Sequence, residues 1–290
     1  MTRLPRVALE DAFAGQPDLS SLATRGKTPG LDTSAVIEAL TRNLYGPIPE
    51  PPTETHFRRS QLQSSGGERI VLTLALPKGS LTVDAALWCP DGDGPWPLIC
   101  GLDFVGPAGL LFDREFPLDR SSIIVDRPEF GVHDGRLRDV LRGTSAMNWP
   151  VSLLNSSGYA VLVSCYGSWV PDHPTGCREA GLLPLIQTST GAISLWAWAI
   201  SRLVDLAKPL PEIDHERIAV AGHSRLGKVA LWATAQDTRI GTVFASNSGA
   251  AGAAVSAHTV GETLAQMAER FPHWLASDPA SMTSSKIDQH

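Results

Sequence analysis

Residues 217–235, RIAVAGHSRLGKVALWATA, change hydrophobic period within a single turn. RIAVAG is a short apolar run of the kind that forms a buried strand, whereas after GHSRLG the residues Leu226, Ala230, Leu231 and Ala235 recur at helical spacing. A strand passing through so tight a turn into a helix is the unit from which open α/β sheets are built. Other segments repeat it. WPLICGLDF and YAVLVSCY are almost wholly apolar, as parallel strands covered on both faces are. TSAMNWPVSLLNSSG and TGAISLWAWAISRLVDLAKPL read as helices between strands, the second with Trp196, Ile200, Leu203 and Leu206 at helical spacings. The order strand, helix, strand, helix predicts a doubly wound, mostly parallel sheet with right-handed crossovers.

The flanking segments extend this plan. FRRSQLQSSGGERIVLTLALPKGSLTVDAALWCP reads as an antiparallel meander broken by Gly-Gly and Lys-Gly-Ser turns. TSAVIEALTRNLYG is a helix ended by Gly-Pro. Residues 1–33 lack periodicity and read as a loosely ordered N-terminal extension, which leaves 34–290 as one domain, a length that α/β folds reach. The stretch between Val105 and Gly143 is rich in Gly, Pro and Asp, and loops of this length in compact domains are usually functional or mobile.

Composition removes several classes of function. No apolar run approaches the roughly 18 residues that would span a bilayer. With a net charge of −6 and no local Lys/Arg cluster, the chain has no electrostatic attraction for nucleic acid. The start, MTRLPRVALEDAF, lacks the apolar core of a secretory signal, so the chain as written is expected in the cytoplasm, or outside it if the true start lies upstream. Cys89, Cys100, Cys165 and Cys177 form no C-x-x-C pair, which argues for buried thiols, with room for one disulfide, and against a zinc or redox site. Neither a metal nor an organic cofactor is expected.

The turn GHSRLG is where chemistry is expected. Strand, tight turn and helix is the context a nucleophile elbow requires, with Ser224 at the bend and Gly222 where a side chain would collide. Ser224 would stand at a helix N-terminus, whose free N–H groups favour a developing negative charge. The second glycine, however, is Gly227, with Leu226 at its usual place. On spacing alone, a serine that merely caps the helix has equal weight.

The segment GHSRLGKVALWATAQDTRIGTVFASNSGAAGAA resembles the nucleophile region of the glucuronoyl esterases, carbohydrate esterase family 15, of bacterial type. The likeness runs from NLYGPIP through RPEFGVHD, WPVSLL, GYAVLVSCYG and WAWAISRLVD to GETLAQMAERFPHW and DQH. It implies an α/β-hydrolase fold that cleaves the ester between 4-O-methyl-glucuronic acid on xylan and alcohols of lignin. Ser224 would be the nucleophile, and Arg225 would stabilise the oxyanion through its backbone N–H and guanidinium. Lys228, otherwise an ordinary surface lysine, and Glu262, otherwise a solvated carboxylate, would bind the uronate. The expected partner is a glucuronic-acid ester or a glucuronoxylan-derived substrate, with oligomeric state open.

The pattern also breaks. A serine esterase needs a histidine base and a carboxylate to orient it. His258, His273 and His290 each match a non-catalytic position of the family better, and none is assigned as the base. Asn247 stands where fungal-type members carry a Glu. After DQH the family continues into two further core strands with the histidine beyond them, so the domain is expected to be C-terminally incomplete, with an exposed sheet edge and weak turnover. An incomplete record, a truncated gene and a degenerate binder are the competing accounts. Two other functions remain open: an acetyl-xylan or other small-ester esterase, and a non-catalytic carbohydrate-binding pseudo-hydrolase using Trp149, Trp169 and Trp274 as stacking platforms.

Overall fold

The structure, a computed structural model, describes residues 32–186, 188, 190–254 and 261–276. The chain divides into two units, residues 1–36 and 37–290. The expected extension over residues 1–33 lies almost wholly outside the described residues. Helix α1 (Thr33–Leu40) continues as one π turn, Thr41–Tyr45, and stops at Gly46, whose φ of 80° ends it where Gly-Pro predicts.

Strands β1 (Glu54–Gln61), β2 (Glu68–Leu76) and β3 (Gly79–Trp88) form the expected antiparallel meander. Four parallel strands follow: β4 (Trp96–Asp103), β5 (Ala160–Cys165), β6 (Ile213–His223) and β7 (Thr242–Ser246). Together they make a seven-stranded sheet in the order β1-β2-β3-β5-β4-β6-β7, joined antiparallel at β3–β5. The long stretch after β4 carries only isolated bridges and short turns.

Helices cover the two faces unequally. Helix α2 (Val151–Ser156) starts seven residues after Thr144, where TSAMNWPVSLLNSSG begins, because the proline at 150 disfavours helical φ/ψ at Trp149. Helix α3 (Ala192–Ala207) buries every residue except Asp205 and packs with α4 (Arg225–Gln236) against one face of the sheet. A helix apolar on all sides, Trp196 and Trp198 included, belongs in such an interior layer. On the other face, Trp88, Phe116, Trp149, Val161 and Val163 form a separate apolar cluster over β3 and β5.

That second cluster reaches β6 only at Ala221. A groove of about 800 Å³ lies there, lined by Ile99, Trp149, Ala219, Ala221, Thr242 and Phe244. The expectation that the parallel strands are covered on both faces therefore holds for β5, buried throughout, and only in part for β4, half-buried at Trp96, Pro97 and Ile99, and for β6, half-buried at Ala219, Ala221 and Gly222. The groove leaves this part of their second face open, and β7 is one edge of the sheet, with β1 the other among the described residues. Met147 and Phe244 at this groove are 91% and 69% exposed, and contiguous apolar surface of this kind drives association. The double substitution Met147→Glu, Phe244→Glu is expected to lower 8-anilinonaphthalene-1-sulfonate fluorescence roughly twofold. Because both side chains already face solvent, stability should move by no more than ~0.5 kcal/mol in urea denaturation.

All four cysteines are free, so the disulfide for which the sequence leaves room is not formed. Among the described residues no helix is long and apolar enough to cross a membrane, and no cluster has the make-up of a metal site.

Candidate active site

The apolar run 217–222 lies within β6, and α4 begins directly after Ser224. Ser224 has φ 56° and ψ −124°, a region that costs a non-glycine residue about 1–3 kcal/mol. Its backbone is held from both sides: its N–H donates to Ser246 O of β7 at 2.8 Å, and its carbonyl accepts from Gly227 and Lys228 at 2.9 and 3.2 Å. A Cβ on Gly222 would lie 2.1 Å from Leu226 O, so the turn closes only over glycine. The displaced second glycine has its own reason: a Cβ on Gly227 would lie 3.0 Å from Ser246 O and 3.1 Å from Ser248 Cβ. α4 thus passes tightly over the end of β7 at 227, and Leu226 is free to enter the core, where it is 2% exposed.

The alternative of a helix-capping serine fails. Ser224 makes no capping hydrogen bond, and its half-buried hydroxyl has no partner among the described residues. A serine held in a strained turn with its hydroxyl unused is arranged as a nucleophile is.

Arg225 occupies the first position of α4, where backbone N–H groups have no intrahelical acceptor. Its guanidinium is engaged within the fold. Nη1 is ion-paired with Asp172, and Cζ lies 4.5, 4.8 and 5.8 Å from the ring centres of Trp274, Phe271 and Phe104. Asp172 is buried and also accepts from Tyr166 Oη at 2.7 Å and Trp274 Nε1 at 2.9 Å, with His273 Nε2 2.8 Å away. Burial alone would raise its pKa, but the His273 contact, the Arg225 charge and the Trp274 and Tyr166 hydrogen bonds hold it at about 2. His273 faces Asp172 through Nε2, with a side chain 3% exposed. His258 and His290 lie outside the described residues.

Lys228 is no surface lysine: it is 4% exposed, donates to Ser248 O at 2.5 Å and lies 5.8 Å from the Trp274 ring centre. Burial lowers its pKa to about 8, opposed by the charge of Glu262 and reinforced by that of Arg225. Glu262 precedes Thr263, the N-cap of α5 (Leu264–Arg270), and pairs with Arg270 at 3.0 Å. The electrostatic reach between Glu262 and Lys228 brings the two expected uronate ligands into one region. Because the folded state disfavours the Lys228 ammonium, the lysine costs stability at every pH below about 8, and the cost fades as pH rises toward 10.5. Lys228→Met is therefore expected to raise stability by ~1–3 kcal/mol at pH 7, with a smaller gain at pH 9.5, in urea denaturation at both values.

The three tryptophans weighed as stacking platforms are interior. Trp149, Trp169 and Trp274 are 6%, 0% and 2% exposed, and Trp274 lies flat against Phe271 at 3.9 Å. Asn247 has φ 48°, a left-handed conformation Asn tolerates better than most side chains. Sequence reasoning missed Asp172 and Tyr166 altogether. Their only signal is a buried cation in want of an anion, and that emerges when the fold brings Asp172 to Arg225.

Two cavities flank the turn. One of about 220 Å³ is lined by Asp103, Phe104, Gly222, His223, Leu226 and Ser246. The other, about 340 Å³, is lined in part by Asp172, His173, Arg225, Arg270, Phe271 and His273. Asp103, at the end of β4, accepts from Val105 and Gly106 N–H at 2.8 and 2.9 Å and shapes the loop beside the first cavity. His223 is exposed, with Nδ1 3.2 Å from Ser246 Oγ.

A seven-stranded sheet with a strained serine between a parallel strand and its following helix defines the α/β-hydrolase class. The comparisons narrow it. A family model described as glucuronyl esterase, fungi, matches residues 178–272. A carbohydrate esterase, MZ0003, from an unknown prokaryote is 30% identical over 264 residues, which are 85% of this chain and 61% of that protein. A 4-O-methyl-glucuronoyl methylesterase of Thermothelomyces thermophilus is 26% identical over 213 residues, 72% of this chain and 41% of that protein. The solved glucuronoyl esterase from Solibacter usitatus superposes with a TM-score of 0.72 at 28% identity, covering 92% of this chain and 69% of the other. These likenesses are all to glucuronoyl and related carbohydrate esterases, among them members of carbohydrate esterase family 15. The chain spans about three fifths of the length of MZ0003 and two fifths of the Thermothelomyces protein.

Proposed function

We propose that this chain carries the acyl-transfer site of a serine carboxylic-ester hydrolase for 4-O-methyl-glucuronoyl esters. Ser224 Oγ attacks the ester carbonyl, the alcohol leaves with a proton, and water hydrolyses the resulting acyl-enzyme. The Arg225 N–H and guanidinium face the charge of the tetrahedral intermediate, where a fixed donor is worth more than in water. Lys228 and Glu262 bind hydroxyls of the uronate, which favours a polyhydroxylated acid over an acetyl group. The observation that carries this reading is the strained Ser224 with its unused hydroxyl. Burial of the three tryptophans weighs against a stacking-based binder.

Among the described residues no imidazole or carboxylate hydrogen-bonds Ser224 Oγ. Turnover by the 290-residue chain is accordingly proposed to be weak, because general-base assistance typically contributes about 10²–10⁴-fold. Two measurements test the parts separately. A fluorophosphonate, which needs no departing alkoxide, is expected to leave a phosphonyl adduct on the peptide bearing Ser224, and its absence there overturns the nucleophile. Benzyl glucuronate is expected to release benzyl alcohol only slowly, short of an assisted esterase by about 10²–10⁴-fold. Rapid release would overturn the impairment and leave the nucleophile standing.

A further inference from the structure

Arg225 has more support than an ion pair requires. Asp172 follows the one-turn helix Tyr166–Trp169, and its own N–H donates to Ile123 O at 3.0 Å, which fixes the backbone. Its side chain is 1% exposed, and each carboxylate oxygen has two partners. Oδ1 faces His273 Nε2 and accepts from Trp274 Nε1; Oδ2 accepts from Tyr166 Oη and Arg225 Nη1. Tyr166 Oη is itself anchored, accepting from Val125 N–H at 2.7 Å. The carboxylate is therefore held from three stretches of chain before it meets the guanidinium. Neutralising a buried cation needs only the charge; holding the carboxylate in one place needs the neutral donors too.

The guanidinium is held at one edge. Nη1 is taken by Asp172 and the plane is confined by the Trp274 and Phe271 rings, while Nη2 has no hydrogen-bond partner among the described residues. An arginine side chain has four rotatable bonds, and an oxyanion donor acts only if its geometry exists before charge develops.

We propose that Asp172 is the positioning residue for Arg225, holding Nη1 so that the opposite edge of the guanidinium is presented to the intermediate formed at Ser224. The proposal rests on the reading of Ser224 and Arg225 given under Proposed function. Asp172 acts through the arginine and touches no substrate.

The test is the second-order rate of fluorophosphonate labelling at Ser224, read by mass spectrometry for the whole chain and for Asp172→Asn, Arg225→Lys and the double variant. Arg225→Lys is expected to slow labelling about 10²-fold, as loss of one oxyanion donor does. Asp172→Asn is expected to slow it roughly tenfold and to add nothing in the Arg225→Lys background, the signature of two residues acting as one unit. A general structural role would instead give losses that multiply in the double variant, and that result overturns the proposal, as does labelling of Asp172→Asn at the parental rate. Should circular dichroism show Asp172→Asn unfolded, Tyr166→Phe removes one donor from Oδ2 and leaves the carboxylate charged. A several-fold loss confined to the Arg225 background then supports the proposal, and an unchanged rate overturns it. Failure of the underlying reading looks different: the parental chain then gives no adduct on Ser224 at all.

Discussion

Ser224→Gly is expected to abolish fluorophosphonate labelling and, at the same time, to make the chain more stable by about 1 kcal/mol. The two effects share one cause. At φ 56° and ψ −124° a side chain bearing a Cβ is strained by about 1–3 kcal/mol, and glycine is not. Against that gain stands the greater freedom of glycine in the unfolded chain, about 0.5–1 kcal/mol, so the net sign favours the variant. The local hydrogen bonds survive, because the turn is fixed by backbone groups: the N–H of residue 224 to Ser246 O and its carbonyl to Gly227 and Lys228. Urea denaturation reads the stability and peptide mapping the adduct. A less stable variant would show that the serine side chain contributes to the fold, and adduct formation at another residue would move the nucleophile elsewhere.

The contrast between this turn and the cluster behind it shows what a linear reading reaches. Residues 217–235 are legible because strand, turn and helix are contiguous, and each obeys a local rule: a short apolar run in RIAVAG, a collision-free glycine at 222, helical spacing from Leu226. The displaced glycine looks like a departure from that rule until β7 is in place, since the backbone that crowds Gly227 is Ser246, nineteen positions further along the chain. The meander and the strands β4, β5 and β6 are legible for the same local reason. The open face over β4 and β6 is not, because an apolar strand says that it can be covered and leaves unsaid what covers it. Lys228 reads as a surface residue on a helix of mixed composition, and its burial comes from Trp274 and the Ser248 carbonyl. Asp172 carries no local signal at all: PDHP is a turn-forming sequence, and its partners lie six, 53, 101 and 102 positions away.

Asp172→Ala is expected to cost about 3–5 kcal/mol, because it strands a charge. Arg225, its side chain 10% exposed, would keep its positive charge among Trp274, Phe271 and Phe104 with no anion, and the Tyr166 hydroxyl and Trp274 indole N–H would lose their acceptor. Removing one member of a buried pair is worse than never having had the pair, since desolvation of the survivor remains. Asp172→Asn should cost less, as its amide oxygen still accepts. The acid limb separates charge from shape. The Asp172 carboxyl is held at about 2, below its ordinary 3.8, so its stabilisation is complete above about pH 4 and is lost as pH falls through 2. The parental chain should therefore lose stability between pH 4 and pH 2, and Asp172→Asn, with no carboxyl to protonate, should lose distinctly less across that window. Urea midpoints at pH 2, 3, 4 and 7 decide it. Parallel acid limbs in the two chains would mean that the Asp172 charge does not hold Arg225, leaving packing between the aromatic rings as the support of that side chain.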